Sequence, residues 1–176
     1  GDFKLSALYG LINNSNHILV LGAGLNVPLG SIYVKGTTNG MYSGQRLPYT
    51  MQLGSGTWDV LPVLSYLYHN NGISYSSQVT SAIRANYNNV GYRLGNELTF
   101  TNWFAYQWCR VMSSSIRLEG YAADHISGVD PKLYKYYEPA ANTINYGGKR
   151  VSVYLGTNFY FRNGFMQGQK IGVEAG

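Results

Sequence analysis

Asn70-Asn71-Gly72 followed by Ile73-Ser74-Tyr75-Ser76-Ser77-Gln78-Val79-Thr80-Ser81-Ala82-Ile83-Arg84 is the stretch that decides the fold. Successive side chains of a strand point to opposite faces. Tyr75, Val79 and Ile83 therefore share one face, and Ser74, Ser76, Gln78, Thr80 and Arg84 the other. Asn-Gly before such a run is a strong signal for a tight hairpin turn. On the near side of that turn, Trp58, Val60, Pro62, Leu64, Tyr66 and Tyr68 alternate with Asp59, Leu61, Val63, Ser65 and Leu67. Pro62 has no amide to donate, so the strand is expected to carry a bulge or an unpaired position there.

The same period extends in both directions. Phe3, Leu5, Ala7, Tyr9 and Leu11 oppose Asp2, Lys4 and Ser6, and after a turn at 13–16, Leu19, Leu21, Ala23, Leu25 and Val27 oppose Gly22, Gly24 and Asn26. Downstream, Leu94, Leu98, Phe100, Phe104, Tyr106 and Trp108 oppose Arg93, Glu97, Thr99, Thr101 and Gln107, with Asn96 and Asn102 as polar exceptions. Ile116, Leu118 and Ala122 oppose Arg117, Glu119 and Tyr121; Val151, Val153, Leu155, Phe159 and Phe161 oppose Arg150, Ser152, Tyr154, Asn158 and Arg162. Ile171, Val173 and Ala175 finally oppose Lys170, Gly172 and Glu174. These segments amount to about eight strands of one all-β domain.

Alternation also describes a soluble sandwich or a lipocalin-like barrel. Three further features point to a transmembrane barrel. Charges on one strand share parity: Asp2 with Lys4, Arg93 with Glu97, Arg117 with Glu119, Arg150 with Arg162, Lys170 with Glu174. Connections alternate between short and long, the long loops lying at about 28–56 and 125–148 with a moderate one near 87–92; membrane barrels pair tight periplasmic turns with long extracellular loops. The aromatic residues Tyr9, Tyr66, Tyr68, Tyr75, Phe104, Tyr106, Trp108, Phe159 and Phe161 all fall on the apolar face close to the short turns, where an interfacial girdle would sit. Phe3, Trp58 and either Tyr42 or Tyr49 are expected at the opposite rim. We therefore expect an antiparallel up-and-down transmembrane β-barrel. Both ends of the chain read as strand, so the domain is expected to be incomplete at each end and the full barrel to have about twelve strands.

Composition agrees. In 176 residues, 45% are hydrophobic and only 12% charged, with 17 Tyr and 22 Gly; ordinary soluble domains are about one-quarter charged. No apolar run reaches the roughly 18 residues of a membrane helix. The formal charge of +5 is spread without a basic run, which argues against nucleic acid as a partner. Cys109 is the single cysteine, so neither an internal disulfide nor a thiolate cluster is expected.

Gly1-Asp2-Phe3-Lys4-Leu5-Ser6-Ala7-Leu8-Tyr9, Leu47-Pro48-Tyr49-Thr50-Met51-Gln52-Leu53-Gly54-Ser55-Gly56-Thr57 and Gly168-Gln169-Lys170-Ile171-Gly172-Val173-Glu174-Ala175-Gly176 together resemble the outer-membrane transporter family labelled "meta-pathway of phenol degradation". The resemblance runs nearly end to end. It implies a bacterial outer-membrane location, a bilayer with lipopolysaccharide around the barrel, and passage or binding of small solutes. It implies no catalytic residue and no cofactor, and more strand on either side of this chain.

The residues of functional interest are the charges expected to face inward: Lys4, Asp59, Arg84, Arg93, Glu97, Arg117, Glu119, Arg150, Arg162, Lys170 and Glu174. Buried charges must be paired or wet, so this set either lines an aqueous path favouring anions or clasps it narrow through Arg–carboxylate pairs, with Arg117–Glu119 and Arg93–Glu97 as expected partners. A passive channel or transporter for small, aromatic or anionic solutes is the first expectation. A plugged barrel whose long loops dock another envelope protein is the second. An outer-membrane hydrolase is a third, using Asp124, His125, Ser127 and Asp130, although a solvated loop turned by Asp130-Pro131 accounts for these residues more simply. Asp59 and His69 share a face but lie too far apart along a strand to form a dyad. Met41 and Met51 make a weak soft-metal pair, and Gly54-Ser55-Gly56 lacks the Lys and helix of a phosphate loop. No metal is expected.

Overall fold

The computed structural model describes residues 1–36, 43–133, 138–165 and 167–176. Tyr42 and Met41, considered above for the rim and for metal, lie outside the described residues. The strands are β1 (Phe3–Asn13), β2 (His17–Val27), β3 (Asp59–Asn70), β4 (Ile73–Arg84), β5 (Tyr92–Arg93), β6 (Glu97–Cys109), β7 (Met112–Ala123), β8 (Ser127–Gly128), β9 (Gly148–Tyr160) and β10 (Lys170–Ala175). Eight of them form one antiparallel sheet in the order β1-β2-β3-β4-β6-β7-β9-β10, and β5 pairs with β8 in a separate ribbon. This is an up-and-down meander, open at β1 and β10.

The register keeps the apolar set on one face from end to end. Leu5 stands opposite Leu25, Leu25 opposite Val60 and Val60 opposite Ile83. Farther along, Tyr75 faces Phe104, Phe104 faces Ile116, Ile116 faces Leu155, and Ile171 faces Phe159. A one-residue slip anywhere would move a whole strand's apolar set to the polar face. At the decisive hairpin, Asn71 (φ 45°) and Gly72 (φ 83°) both take left-handed backbone, the requirement of a type I′ turn, whose twist matches the strands. Pro62 is paired to Ala23 on the β2 side, while the ladder to β4 lapses at Leu61 and Pro62 and resumes in the same register at Val63. The missing amide is met by an unpaired position, not by a bulge.

Two inward charges are placed differently from expectation. Arg93 belongs to β5, outside the main sheet, because the ladder after Arg84 is capped: the Asn96 Oδ1 accepts the Arg84 amide (2.9 Å), and the Asn88 Oδ1 accepts the amides of Val90 and Tyr92, turning the chain. Arg162 lies beyond the end of β9. There the Phe161 amide bonds to the Gln169 carbonyl and the Gly168 amide returns to the Phe161 carbonyl, so the chain is already reversing, and Phe161 itself flanks the strand.

All three longer connections, 28–58, 85–96 and 124–147, leave the same end of the sheet, and the tight turns at 14–16, 71–72 and 110–111 lie at the other with the nine-residue connection 161–169. The loops hold the apolar core: Tyr49, Tyr92 and Ile126 are buried together, packed by Val90, Leu94, Leu133 and Tyr146. Tyr49, expected at the membrane rim, is instead in this core, its ring edge-on to Tyr92 at 4.7 Å and to Tyr146 at 5.8 Å. The stretch around Asp130 is largely exposed, at Asp124, His125, Gly128, Val129, Pro131 and Lys132, as a solvated loop should be, but Asp130 itself is not. Asp130 is 1% exposed and pairs with Arg46 at 2.7 Å, while its other carboxylate oxygen accepts the Lys132 amide and so still forms the expected turn.

The sheet is a single layer in which each strand packs chiefly on its ladder neighbours. It nevertheless hides one face. Ala105 and Ser113, on the polar face, are buried, while Leu5, Phe100, Leu118 and Leu155 on the apolar face are exposed. A cavity of about 200 Å³ is bordered both by His69 of β3 and by Lys170 of β10, strands five places apart in the order. On a flat sheet that is about 24 Å at roughly 4.8 Å per strand, so the sheet curls strongly with the polar face inside the curve.

Candidate functional site: the concave polar face

Of the expected inward charges, Lys4, Asp59, Arg84, Glu97, Arg117, Glu119, Arg150, Lys170 and Glu174 all stand on the concave face by register. Their partners differ from those expected along single strands. Arg84 donates Nη1 to Asp59 Oδ2 (2.6 Å) and Nη2 to Glu97 Oε1 (2.7 Å). Arg117 reaches over the Tyr154 ring, 4.2 Å from its centroid, to Glu174 (3.0 Å), and Arg150 meets Glu119 at 3.3 Å. The reason is geometric. Residues i and i+2 on a strand are nearly 7 Å apart, whereas Asp59 and Arg84 stand directly opposite, about 5 Å apart; the long arginine side chains reach farther, Arg84 to Glu97 and Arg150 to Glu119 on the diagonal, and Arg117 to Glu174 across the intervening β9. Arg93 finds no acid among the described residues. Its guanidinium donates to the Arg84 carbonyl (3.4 Å) and lies over the Tyr87 ring.

Near the loops these contacts join into a transverse polar seam. Asp2 accepts hydrogen bonds from the Gly30 amide, from the Ser55 amide and hydroxyl and from Asn26 Nδ2. Asn26 also donates to Asp59 (2.8 Å), and Thr57 donates its hydroxyl to the other Asp59 oxygen (2.6 Å). Asp59 hands on to Arg84, and Arg84 to Glu97, so the seam runs from β1 to β6. Asp59 and Thr57 are 0% exposed and Asn26 2%: at this end of the sheet the buried side chains are polar. Burial pushes the Asp2 carboxyl up, but its four hydrogen bonds, led by the Ser55 amide, outweigh that and hold it below the ordinary carboxylate value.

Above the seam, Arg46–Asp130 ties the first long loop to the last, and Tyr49 Oη accepts the Asp130 amide (3.1 Å). Burial raises the Tyr49 phenol and pushes the Tyr92 phenol up to about 12. Arg46 carried no sequence signal, because its partner lies 84 positions away and neither residue is in a periodic segment. The hydrolase candidates are committed to separate partners: Asp130 to Arg46, and His125 Nδ1 to the Tyr146 carbonyl.

Near the tight turns the concave face is roomier. A cavity of about 370 Å³ is bordered by Trp103, Ser115, Asn158, Lys170 and Glu174, and the 200 Å³ cavity beside it shares Trp103, Asn158 and Lys170. Trp103 was missed by the sequence reading, although its odd position among Thr99, Thr101 and Gln107 puts a large aromatic ring on the polar face.

The convex face carries the expected aromatic residues. Tyr68 faces Tyr75, and Tyr75 faces Phe104. His17 lies 5.0 Å from Tyr68 and hydrogen-bonds Tyr66 Oη (2.8 Å), and Tyr106 meets Trp108 edge-on at 4.8 Å. Tyr9 and Phe159 stand on the same face, in β1 and β9. The sequence matches no protein-family model and no curated protein.

Proposed function

We propose that this sheet forms the wall of a bacterial outer-membrane β-barrel, with lipid and lipopolysaccharide against its convex face, and that its concave face lines a narrow passive path for small solutes. One observation carries the reading: the distribution of polarity is inverted. Apolar side chains such as Leu5, Leu64, Phe100 and Leu155 are exposed across the convex face, while Asp59, Asn26 and Thr57 are buried. In water, an apolar surface spanning eight strands would drive association; in a bilayer it is the required outer wall, and a closed barrel is the form in which strands cross. The aromatic belt at the turn end and the resemblance noted above support the same reading. The path is narrow because the charges are clasped pairwise, Arg84 with Asp59 and Glu97 at one level and Arg117 with Glu174 at another. No catalytic role and no cofactor enter this reading.

The test is reconstitution of the full chain in liposomes, with measurement of conductance and of uptake of small anionic and neutral solutes. Stepwise conductance that changes when Arg84 or Arg117 is replaced supports the path; a sealed membrane with no solute uptake overturns it. A second reading has one observation of its own. The loops pack on one another through Arg46–Asp130 and the Tyr49–Tyr92 core, giving a shaped outer surface that suits docking of an envelope protein. Retention of a partner in mild detergent by the native chain, and its loss in Arg46→Ala, would favour that reading.

A further inference from the structure

We infer that the turn end of the concave face is a binding site for a small organic carboxylate, with Lys170 and Trp103 as its recognition groups. The inference rests on the reading of that face as a solute path, which it extends by giving the path a specific station. The neighbouring cavities of about 370 and 200 Å³ both border on Trp103, Asn158 and Lys170, and the larger lies in the range of small-molecule sites. Their shape is set by what is missing from the wall. Gly156 and Gly172 lie on the floor, and a Cβ at Gly156 would come within 2.7 Å of Ser115 Oγ, one at Gly172 within 2.6 Å of Asn158 Oδ1. A side chain at either position would crowd Ser115 or Asn158, both of which border the larger cavity.

The ligand class follows from which groups are engaged. Glu174, the acid bordering the larger cavity, is already held by Arg117 at 3.0 Å. Among the described residues Lys170 has no acidic partner, and neither the Trp103 indole N–H nor the Ser115 hydroxyl has a hydrogen-bond acceptor. An ammonium has three donors and no acceptor, and an indole N–H only donates. The Asn158 amide oxygen and the Ser115 hydroxyl can also accept, but the charge left unbalanced among the groups bordering the larger cavity is the Lys170 ammonium, and it calls for an anion. The flat Trp103 ring beside them gives an apolar body a surface to cover. A carboxylate on a compact apolar body fills both roles, whereas a cation would meet Lys170 and a purely polar anion would leave the ring uncovered.

The probe is cyclohexanecarboxylate, compared with cyclohexylmethanol, which has the same body and no charge. With Trp58→Phe and Trp108→Phe in the full chain, Trp103 is the only one of the 3 tryptophans left to report. Its emission should change saturably with the acid, the alcohol should bind about tenfold more weakly or worse, and Lys170→Gln should weaken the acid by about tenfold through loss of a charge-assisted contact. Gly172→Ala, which narrows the floor by one methyl, should also weaken binding. Equal response to acid and alcohol, no saturable response, or undiminished binding in Lys170→Gln overturns the site. Calorimetry on the native chain and on Lys170→Gln alone reads the same comparison if the two Phe substitutions disturb folding. The parent reading fails separately: saturable Trp103 binding in a chain that passes no ions or solutes removes the path and leaves the site, and conductance without carboxylate binding does the reverse.

Discussion

The two ends of this sheet solve opposite problems. At the loop end, polar groups are buried and every carboxylate of the seam is engaged: Asp59 by Asn26, Thr57 and Arg84, and Asp2 by Gly30, Ser55 and Asn26. Toward the turn end, the Arg117–Glu174 pair is half-exposed, Lys170 is unpaired among the described residues, and the wall is cut back to glycine at 156 and 172. A low local dielectric makes a satisfied network rigid and an unsatisfied one costly. The loop end is therefore where the fold is fixed, and the turn end is where there is freedom to accept something else.

The largest effect that follows is an asymmetry between two carboxylates. Asp59→Ala removes the buried acceptor shared by Arg84, Asn26 and Thr57, and breaking one side of a buried pair typically costs about 3–5 kcal/mol. Glu174→Gln breaks a pair whose side chains are 34% and 44% exposed, and such pairs contribute about 0–1 kcal/mol. Urea unfolding of the refolded protein in micelles should show a large drop in midpoint for the first and little change for the second. Equal losses would mean that the two ends do not differ in the way described.

The next effect compares the two faces. Leu118 is on the convex face and Thr101, directly opposite Glu119 in register, is on the concave one. On the proposed reading Leu118→Arg places a charge in lipid near mid-strand and should destabilise by about 2–4 kcal/mol. Thr101→Arg gains an acidic neighbour and a wet surface, and should fold and insert almost as the native chain does. If Thr101→Arg is the more damaging of the two, the faces have been assigned the wrong way round.

What was legible in the sequence follows the same division. Strands were read almost to the residue where one face is apolar, as at Ile73–Arg84 and His17–Val27, because a period of two leaves a record in each residue. Even Pro62 announced its missing ladder bond. The stretch from Arg93 to Asn96 imitated that period by chance, and only the Asn96 and Asn88 side chains, which cap and turn the backbone, show that the strand starts at Glu97. Pairing of charges was read along strands when it runs across them, and that depends on which strands are neighbours. The Arg46–Asp130 tie and the burial of Tyr49 were out of reach, since contacts between two irregular loops have no period to betray them. Trp103 was within reach: parity alone puts it among the polar residues, and an aromatic ring in that company was the cue to look for a site.

The smallest effect concerns acid. Asp2 is held below its ordinary value of 3.8 by hydrogen bonds to its charged form. A group whose folded pKa is depressed stabilises the fold fully above the unfolded value, and this contribution disappears as the pH falls through the folded one. Asp2→Asn keeps the shape but only one acceptor oxygen, so whichever way its amide turns, an NH2 faces either the Gly30 amide or the Ser55 amide and hydroxyl, and it should be less stable than the native chain at neutral pH. That gap should stay constant down to the ordinary carboxylate range and narrow only below it, as the native Asp2 takes up a proton and loses the same bonds. Unfolding midpoints of both proteins across neutral and acid pH would show it. A gap that closes well above that range, or never closes, would detach Asp2 from the seam and leave Asn26–Asp59–Arg84 as the whole of the clasp at the loop end.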